Sequence, residues 1–326
     1  MACEFSYINI IFPLFSVIRF ANSQCLASNN LNGTCFTKRE CRHYGGTPSG
    51  SCANGLVQKT CSSTTNVNNT YFTNPEYPTT YEGQGRCTIT VQRCNSNICQ
   101  LRLDFLEFTL ASPDASGTCD FDSLSVSGSG NTVPRICGEN ANQHVYIDFN
   151  GDTPIMLSID TNPEYATDRR WNIRIQQLPC DSTYKGIVSG TVTSFNYGTT
   201  QNPRAPVIGT RQIANTNYGV CVRMAQGYCG IEWSQTNSNS FTVSGDTGAI
   251  DPTLLGTVDA AEEGTACTKD FVIIPHPFEN GAAVDTERFC AFSKPFVLYV
   301  ITDGDEMGEI ENKGFSLTYR QIACAI

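Results

Sequence analysis

The sequence predicts an all-β protein with two antiparallel β-sandwiches behind a small disulfide-rich segment. Short runs of alternating apolar and polar residues recur along the chain between Gly, Asn, Pro and Asp. No segment repeats its apolar residues with a period of 3.6, and one run pattern occurs twice. Period-two patterning between turn residues is typical of antiparallel sandwiches, whereas a helix requires the longer period.

The runs that predict strands of the first sandwich lie between Cys61 and Cys180. They occupy residues 88–91, 101–105, 124–126, 145–149, 155–159 and 171–175.

An internal repeat predicts the second sandwich. The run that ends the first copy, Trp171, Ile173, Ile175, Gln177, Leu178 and Cys180, corresponds position for position to Phe315, Leu317, Tyr319, Gln321, Ile322 and Cys324. An aspartate precedes the last cysteine at a similar distance in each copy, because Asp160 lies 20 residues before Cys180 and Asp303 lies 21 before Cys324. The repeat indicates two domains, at 61–180 and 181–326.

Length, charge and cysteine content narrow the class of protein. The chain has 326 residues, enough for two cores, and only 16% are charged against roughly 25% in ordinary soluble proteins. With 21 basic and 31 acidic residues the net charge is -10, which disfavours nucleic acid as a partner. The 17 cysteines indicate an oxidising compartment and a disulfide framework.

The N-terminus resembles a secretory signal peptide over residues 1–23. Residues 7–20 form an apolar run too short to span a bilayer, and small residues at 21–23 offer a cleavage site before Gln24. Cleavage removes Cys3 and leaves 16 of the 17 cysteines. No later run is long enough to span a membrane, so we expect an exported mature chain without a membrane span.

Residues 24–60 form a Cys-rich N-terminal segment with no apolar periodicity. Its four cysteines are Cys25, Cys35, Cys41 and Cys52. Such a segment buries too little apolar surface to offset its chain entropy, so cross-links must hold it.

Several motifs of the first copy together resemble a CUB domain. They are Asn74-Pro75-Glu76-Tyr77-Pro78 with Tyr81, Cys87-x-Ile89-x-Val91, Cys119-x-Phe121-Asp122-x-Leu124-x-Val126 and Ile136-Cys137-Gly138. The second copy resembles a more divergent CUB domain through 194–197, 267–274 and 314–319. The resemblance implies jelly-roll sandwiches, and the whole arrangement is similar to secreted arthropod proteins with a Cys-rich segment and two CUB domains.

Two arguments give cysteine pairs. The resemblance implies Cys61–Cys87, Cys119–Cys137 and Cys267–Cys290, whereas short spacing favours Cys94–Cys99 and Cys221–Cys229 as hairpin staples. The cysteines left over, whose pairing stays open, are Cys25, Cys35, Cys41, Cys52, Cys180 and Cys324. Cys180 with Cys324 is one option, with the other four paired in the N-terminal segment. Zinc would need C-x2-C knuckles or nearby histidines, and neither occurs.

Catalytic motifs are scarce. The three histidines, His43, His144 and His276, stand near no nucleophile motif. Asp246-Thr247-Gly248 matches the tripeptide of an aspartic protease, but that chemistry needs two such loops and only one is present. We therefore interpret Asp246 as a turn residue and expect no enzyme activity.

Two sequons predict N-glycosylation. Asn32-Gly33-Thr34 and Asn68-Asn69-Thr70 are acceptor sequences in a chain expected to be exported.

Calcium is the one cofactor that the resemblance implies, and nothing indicates that it is required. The positions of a CUB calcium site hold Glu262, Asp270 and Asp303 in the second copy. Three converging carboxylates repel one another unless a hard cation neutralises them, and calcium prefers oxygen ligands.

The first copy matches the calcium pattern less completely. Asp122 and Asp160 correspond to two of the three positions, and the third holds Asp114 by spacing or Ala111 by strand register.

These observations favour a secreted, non-enzymatic binding protein that recognises an extracellular protein or glycan through CUB loops. The alternative is a structural matrix or secretion component without a discrete ligand. An aspartic-protease-like enzyme built on Asp246 is the weakest hypothesis.

Overall fold

The computed structural model forms twenty β-strands in the residues that it describes. Those residues are 24–26, 32–34, 43, 58–59, 61–163, 165, 167–182, 186–199, 210–237, 239–243, 269–274, 277–278, 288–291, 296–309 and 312–324, with 24–26, 32–34, 58–59, 277–278 and 288–291 described by backbone alone. In this part of the chain, no helix has the length and apolar character needed to cross a membrane.

The predicted strands of the first sandwich are confirmed. The N-terminal segment and first domain contain β1 Gln24–Leu26, β2 Asn32–Thr34, β3 Gln58–Lys59, β4 Ser63–Thr65, β5 Thr70–Thr73, β6 Gly85–Val91, β7 Ile98–Thr109, β8 Asp122–Ser127, β9 His144–Asp148, β10 Ile155–Thr161 and β11 Arg170–Pro179. The second domain contains β12 Ser189–Thr193, β13 Asn217–Val222, β14 Tyr228–Gln235, β15 Phe241–Thr242, β16 Phe271–Ile273, β17 Pro277–Phe278, β18 Arg288–Ala291, β19 Phe296–Ile301 and β20 Gly314–Ala323.

Two sheets enclose the core of the first domain. Their strand orders are β4-β6-β10-β8 and β3-β5-β11-β7-β9, and neighbours are antiparallel except β3–β5 and β4–β6. On β7 the apolar residues Leu101, Leu103 and Phe105 are fully buried, because alternation along the strand points them all at the opposite sheet. Ile89 and Ile159 of the other sheet belong to the same core cluster.

The second domain repeats this arrangement. One sheet has the order β12-β20-β14-β18-β17, with β15 added on β20, and the other is β13-β19-β16. Trp233 of β14, Leu298 of β19 and Phe315 of β20 are buried between them. The sequence repeat therefore corresponds to a structural repeat, with β11 and β20 in equivalent central positions.

The repeated glutamine has the same role in both copies. Gln177 is buried, accepts a hydrogen bond from the Cys94 N–H and donates to the Gln92 carbonyl. Gln321 likewise accepts from the Ala225 N–H and donates to the carbonyls of Ile187 and Arg223. Each glutamine therefore joins the central strand to the adjacent loop through hydrogen bonds.

The structure contains the pairs Cys61–Cys87 and Cys119–Cys137, as the family pattern implies. Cys267 lies outside the described residues, so Cys267–Cys290 stays a prediction.

The two hairpin staples are wrong, and so is the option of joining Cys180 to Cys324. Cys99 pairs with Cys180 and Cys229 pairs with Cys324, each with 4.8 Å between the Cα atoms. The reason is the sheet pairing: β7 lies beside β11 and β14 beside β20, which brings the start of one strand to the end of its neighbour.

The other two cysteines of the predicted hairpin staples, Cys94 and Cys221, differ in whether they form a disulfide. Cys94 is disulfide-bonded, but not to Cys99. Cys221 is a free thiol on the exposed face of β13.

Candidate metal centre

Three buried carboxylates meet in the second domain. Oxygen atoms of Asp270, Glu306 and Glu309 lie within 4.8 Å of one another, and each residue is less than a tenth exposed. Asp270 directly precedes β16, and the two glutamates stand in the loop that follows β19. Since β16 and β19 are antiparallel neighbours, the start of β16 and the end of β19 lie side by side at the same end of their sheet.

Local hydrogen bonds set the shape of this loop. The Asp303 N–H donates to Asp270 Oδ1 over 2.7 Å, and the Asp303 carboxylate accepts from the Asp305 N–H over 2.9 Å. The Glu309 N–H donates to the Glu306 carbonyl over 3.1 Å, closing a turn that points both glutamates inward.

The cluster is only partly neutralised by its neighbours. Gln212 Nε2 lies 3.1 and 3.2 Å from the two carboxylate oxygens of Glu306. Glu309 accepts from Asn312 Nδ2 over 2.6 Å and lies 3.4 Å from the exposed Lys269 ammonium. Oδ2 of Asp270 is buried and has no hydrogen-bond partner within the described structure.

Burial makes negative charge costly here. Burial, with the charge of Asp270 as the next contribution, raises the pKa of Glu306 to about 8. Burial also raises the pKa of Asp270 to about 6, although the hydrogen bond from the Asp303 N–H opposes the shift. Desolvated carboxylates that face one another disfavour their charged forms, and a cation between them would reverse that effect.

The predicted ligands are therefore only partly brought together. Asp270 belongs to the cluster, whereas Asp303 contributes its backbone N–H and turns its carboxylate to Asp305. Glu262 lies outside the described residues.

Sequence reasoning missed Glu306 and Glu309 as cluster members. The signal was an acid-rich string directly after an apolar strand, in which Asp303, Asp305, Glu306 and Glu309 follow one another closely.

At the equivalent position of the first domain, an arginine side chain supplies the positive charge. Asp122 follows Cys119 by three positions, as Asp270 follows Cys267. It accepts from Arg169 Nε over 2.6 Å, and both side chains are fully buried. Its carboxylate also accepts the N–H groups of Ala111 and Asn162. Arg169 in turn donates to the carbonyls of Asn162 and Tyr165, so the ion pair is fully hydrogen-bonded.

The other first-copy residues of the predicted calcium pattern also have partners within the protein. Asp160 pairs with the exposed Arg86 over 2.6 Å instead of joining Asp122. Asp114 accepts hydrogen bonds from Ser116 and Thr118 within its own loop. Although burial opposes them, these hydrogen bonds hold the pKa of Asp114 below its usual value. Within the described part of the chain, the cluster around Asp270 is the only group of three metal-ligating side chains this close together.

The predicted sequons differ in how far the structure describes them. Asn68 is half-buried, and its Oδ1 accepts the N–H groups of Asn69 and Gln177, both over 2.8 Å. Asn32 lies in β2, which is described by its backbone. The tripeptide Asp246-Thr247-Gly248 lies outside the described residues, as does the segment at 1–23.

Two family models match the chain, one on each domain. The model described as CUB domain matches residues 61–165, and the model described as animal CUB domain matches residues 179–322.

Solved structures give weaker likenesses. The chain is similar to the CUB1-EGF-CUB2 domains of rat MASP-1 at 12% identity, covering 79% of this chain and 99% of that one with a TM-score of 0.29. It is similar to the MASP-1 CUB2 domain bound to Ca²⁺ at 14% identity, covering 36% and 98% with a TM-score of 0.30. The full extracellular region of zebrafish Gpr126/Adgrg6 matches at 16% identity, covering 82% and 37% with a TM-score of 0.31.

These three likenesses carry no functional argument, since each TM-score is below 0.5. No curated protein matches the sequence.

Proposed function

Because this chain belongs to the CUB family and carries two CUB domains in tandem, we propose that it is a secreted, non-enzymatic binding protein. Its sandwiches would present their loops to an extracellular protein or glycan. The observation that carries this proposal is the pair of family matches on two β-sandwiches, because CUB domains mediate protein interactions.

The disulfides support an extracellular location for that role. Four bridges join described residues, and two of them close loops of 81 and 95 residues within their own domains. Bridges of this kind persist in oxidising compartments. Export through the segment at 1–23 and glycans on Asn32 and Asn68 belong to the same proposal.

Calcium is the second part of the proposal, and it is confined to the second domain. Asp270, Glu306 and Glu309 would hold the ion, since hard carboxylate oxygens are the ligands that calcium prefers. The orphaned Oδ2 of Asp270 fits this assignment, because a buried carboxylate oxygen without a partner is otherwise costly. The bound ion would neutralise the carboxylates and hold the loop after β19 in one conformation.

The comparison between the two copies favours a calcium site in the second domain alone. In the first domain the guanidinium of Arg169 already supplies the positive charge beside Asp122. In the second domain, three carboxylates face one another, with Lys269 only at the exposed rim.

Affinity capture tests the binding role. The full mature chain is immobilised and exposed to extracellular fluid of the source organism, with millimolar calcium or with a chelator. We expect a saturable partner that is retained with calcium, released by the chelator and lost with Asp270→Asn. Asp160→Asn is the matched control, because Asp160 lies in an exposed ion pair of the first domain and should leave capture unchanged.

Self-association without a saturable partner would contradict the binding role and favour a structural component of the matrix. A partner that is retained equally in the chelator would support binding but remove calcium from it.

A further inference from the structure

The first domain presents a preorganised loop to the second domain. This docking loop, residues 113–119, is closed by Asp114, whose Oδ1 accepts the N–H groups of Ser116 and Thr118 over 2.9 Å each. The Gly117 N–H donates to the Asp114 carbonyl over 3.1 Å. Its end is fixed by the Cys119–Cys137 disulfide, which packs against Ile213 of the second domain.

The docking loop contacts the same glutamate that belongs to the carboxylate cluster. The Glu306 N–H donates to the Ser116 carbonyl over 3.2 Å, and the Ala214 N–H donates to the Gly117 carbonyl over 2.9 Å. Gly117 has a φ of +78°, and a Cβ there would overlap the Glu306 side chain and approach the Ala214 Cβ to 3.2 Å. Only glycine therefore fits between the loop and Glu306.

Further hydrogen bonds hold the two domains together beside this contact. Asn196 is fully buried, its N–H donates to Asn140 Oδ1, and its own Oδ1 accepts the Glu139 N–H. Gln143 Nε2 donates to Thr193 Oγ1 and to the Ser194 carbonyl. Specific hydrogen bonds therefore hold the two domains together. Because the interface is closely packed, a displacement of Glu306 must also displace the docking loop.

From these contacts we infer that calcium binding in the second domain is coupled to docking of the first domain through Glu306. A cation that fixes the Glu306 carboxylate also fixes the backbone and side-chain surfaces that the docking loop contacts. By linkage, docking of the first domain must then strengthen calcium binding by the same factor. The inference rests on the calcium site proposed above.

A glycine substitution in the first domain tests this coupling. Gly117→Ala places a methyl group against the Glu306 side chain, and it leaves all three carboxylates of the cluster in the sequence. Gly151→Ala is the matched control, since Gly151 also has a positive φ, +56°, but nothing lies within 4 Å of its Cβ position. Calcium is titrated calorimetrically into the full chain of each variant and of the parent.

We expect Gly117→Ala to weaken calcium binding by roughly tenfold, the usual scale of coupling between sites, and Gly151→Ala to bind like the parent. Parent-like binding by Gly117→Ala would overturn the coupling and leave the calcium site standing. A parent that binds no calcium would overturn the site and, with it, the coupling.

Hydrogen exchange on the unmodified full chain keeps the inference testable if Gly117→Ala does not fold. The Gly117 and Thr118 amides lie in the first domain and donate to Asp114, not to the cluster. Calcium should slow their exchange relative to a chelator, and unchanged exchange of the docking loop would contradict the coupling.

Discussion

Asp122 and Asp270 occupy equivalent positions of the two copies, yet their buried charge is balanced differently. The carboxylate of Asp122 is satisfied by Arg169 and by two backbone N–H groups. Asp270 receives one backbone N–H, and its second oxygen stays without a hydrogen bond in the described structure. The same local motif therefore gives an internal ion pair in one domain and a candidate cation site in the other.

The ion pair in the first domain should be essential for its stability. Arg169→Met leaves Asp122 buried and uncompensated, so we expect the free energy of unfolding to fall by about 3–5 kcal/mol. Arg86→Met is the control, because solvent screens the exposed Arg86–Asp160 pair and its loss should change the free energy of unfolding much less. Urea unfolding of the full chains measures both changes. Equal effects of the two substitutions would contradict the assigned role of Arg169.

The raised pKa of Glu306 predicts the pH dependence of calcium-free stability. The folded state keeps a proton on Glu306 up to about pH 8, whereas the unfolded chain releases it near the ordinary value of 4.5. The unfolded state thus binds fewer protons between these values, and the free energy of unfolding should decrease as pH rises through this window.

Glu306→Gln should remove this contribution. In chelator-treated protein, the variant should lose less stability than the parent between pH 5 and pH 8, about the limits of the window. Glu82→Gln is the control, since Glu82 is exposed and should retain the parent's slope. Guanidinium unfolding at both pH values measures the difference, and identical slopes for all three proteins would contradict the prediction.

At the level of elements, the central strand of each domain is held by the same two contacts, a glutamine hydrogen bond and a disulfide. β11 and β20 each contain a buried glutamine that binds the adjacent loop, and each is followed directly by a cysteine that is bridged to the neighbouring strand. The repeated residues therefore attach the central strand to its neighbours in the same way in both domains, through Gln177 and Cys180 in the first and through Gln321 and Cys324 in the second.

Peptide mapping under non-reducing conditions tests these bridges. We expect linked fragments that contain Cys99 with Cys180 and Cys229 with Cys324. Replacing Cys229 and Cys324 by serine should lower the free energy of unfolding by about 4 kcal/mol, as for other loops on the order of 100 residues. A fragment linking Cys94 to Cys99 would contradict the assignment.

For the whole molecule, sequence patterns predict the strands better than the site. Alternation along a run reports which residues face a core, and this correctly located residues 101–105 and 171–175 on inward-facing strands. The disulfide partners and the carboxylate cluster depend on which strands become neighbours. Arg169 stands 47 residues from Asp122, and no local pattern records that contact. The docking loop's contact with Glu306 likewise depends on how two domains meet.

We expect the second domain to hold a cation where the first domain holds Arg169. Crystals of the full chain grown with millimolar calcium, measured for anomalous scattering, test it most directly. We expect a peak among Asp270, Glu306 and Glu309 and none beside Asp122, where Arg169 lies. A peak beside Asp122, or no peak at the three carboxylates, would contradict it.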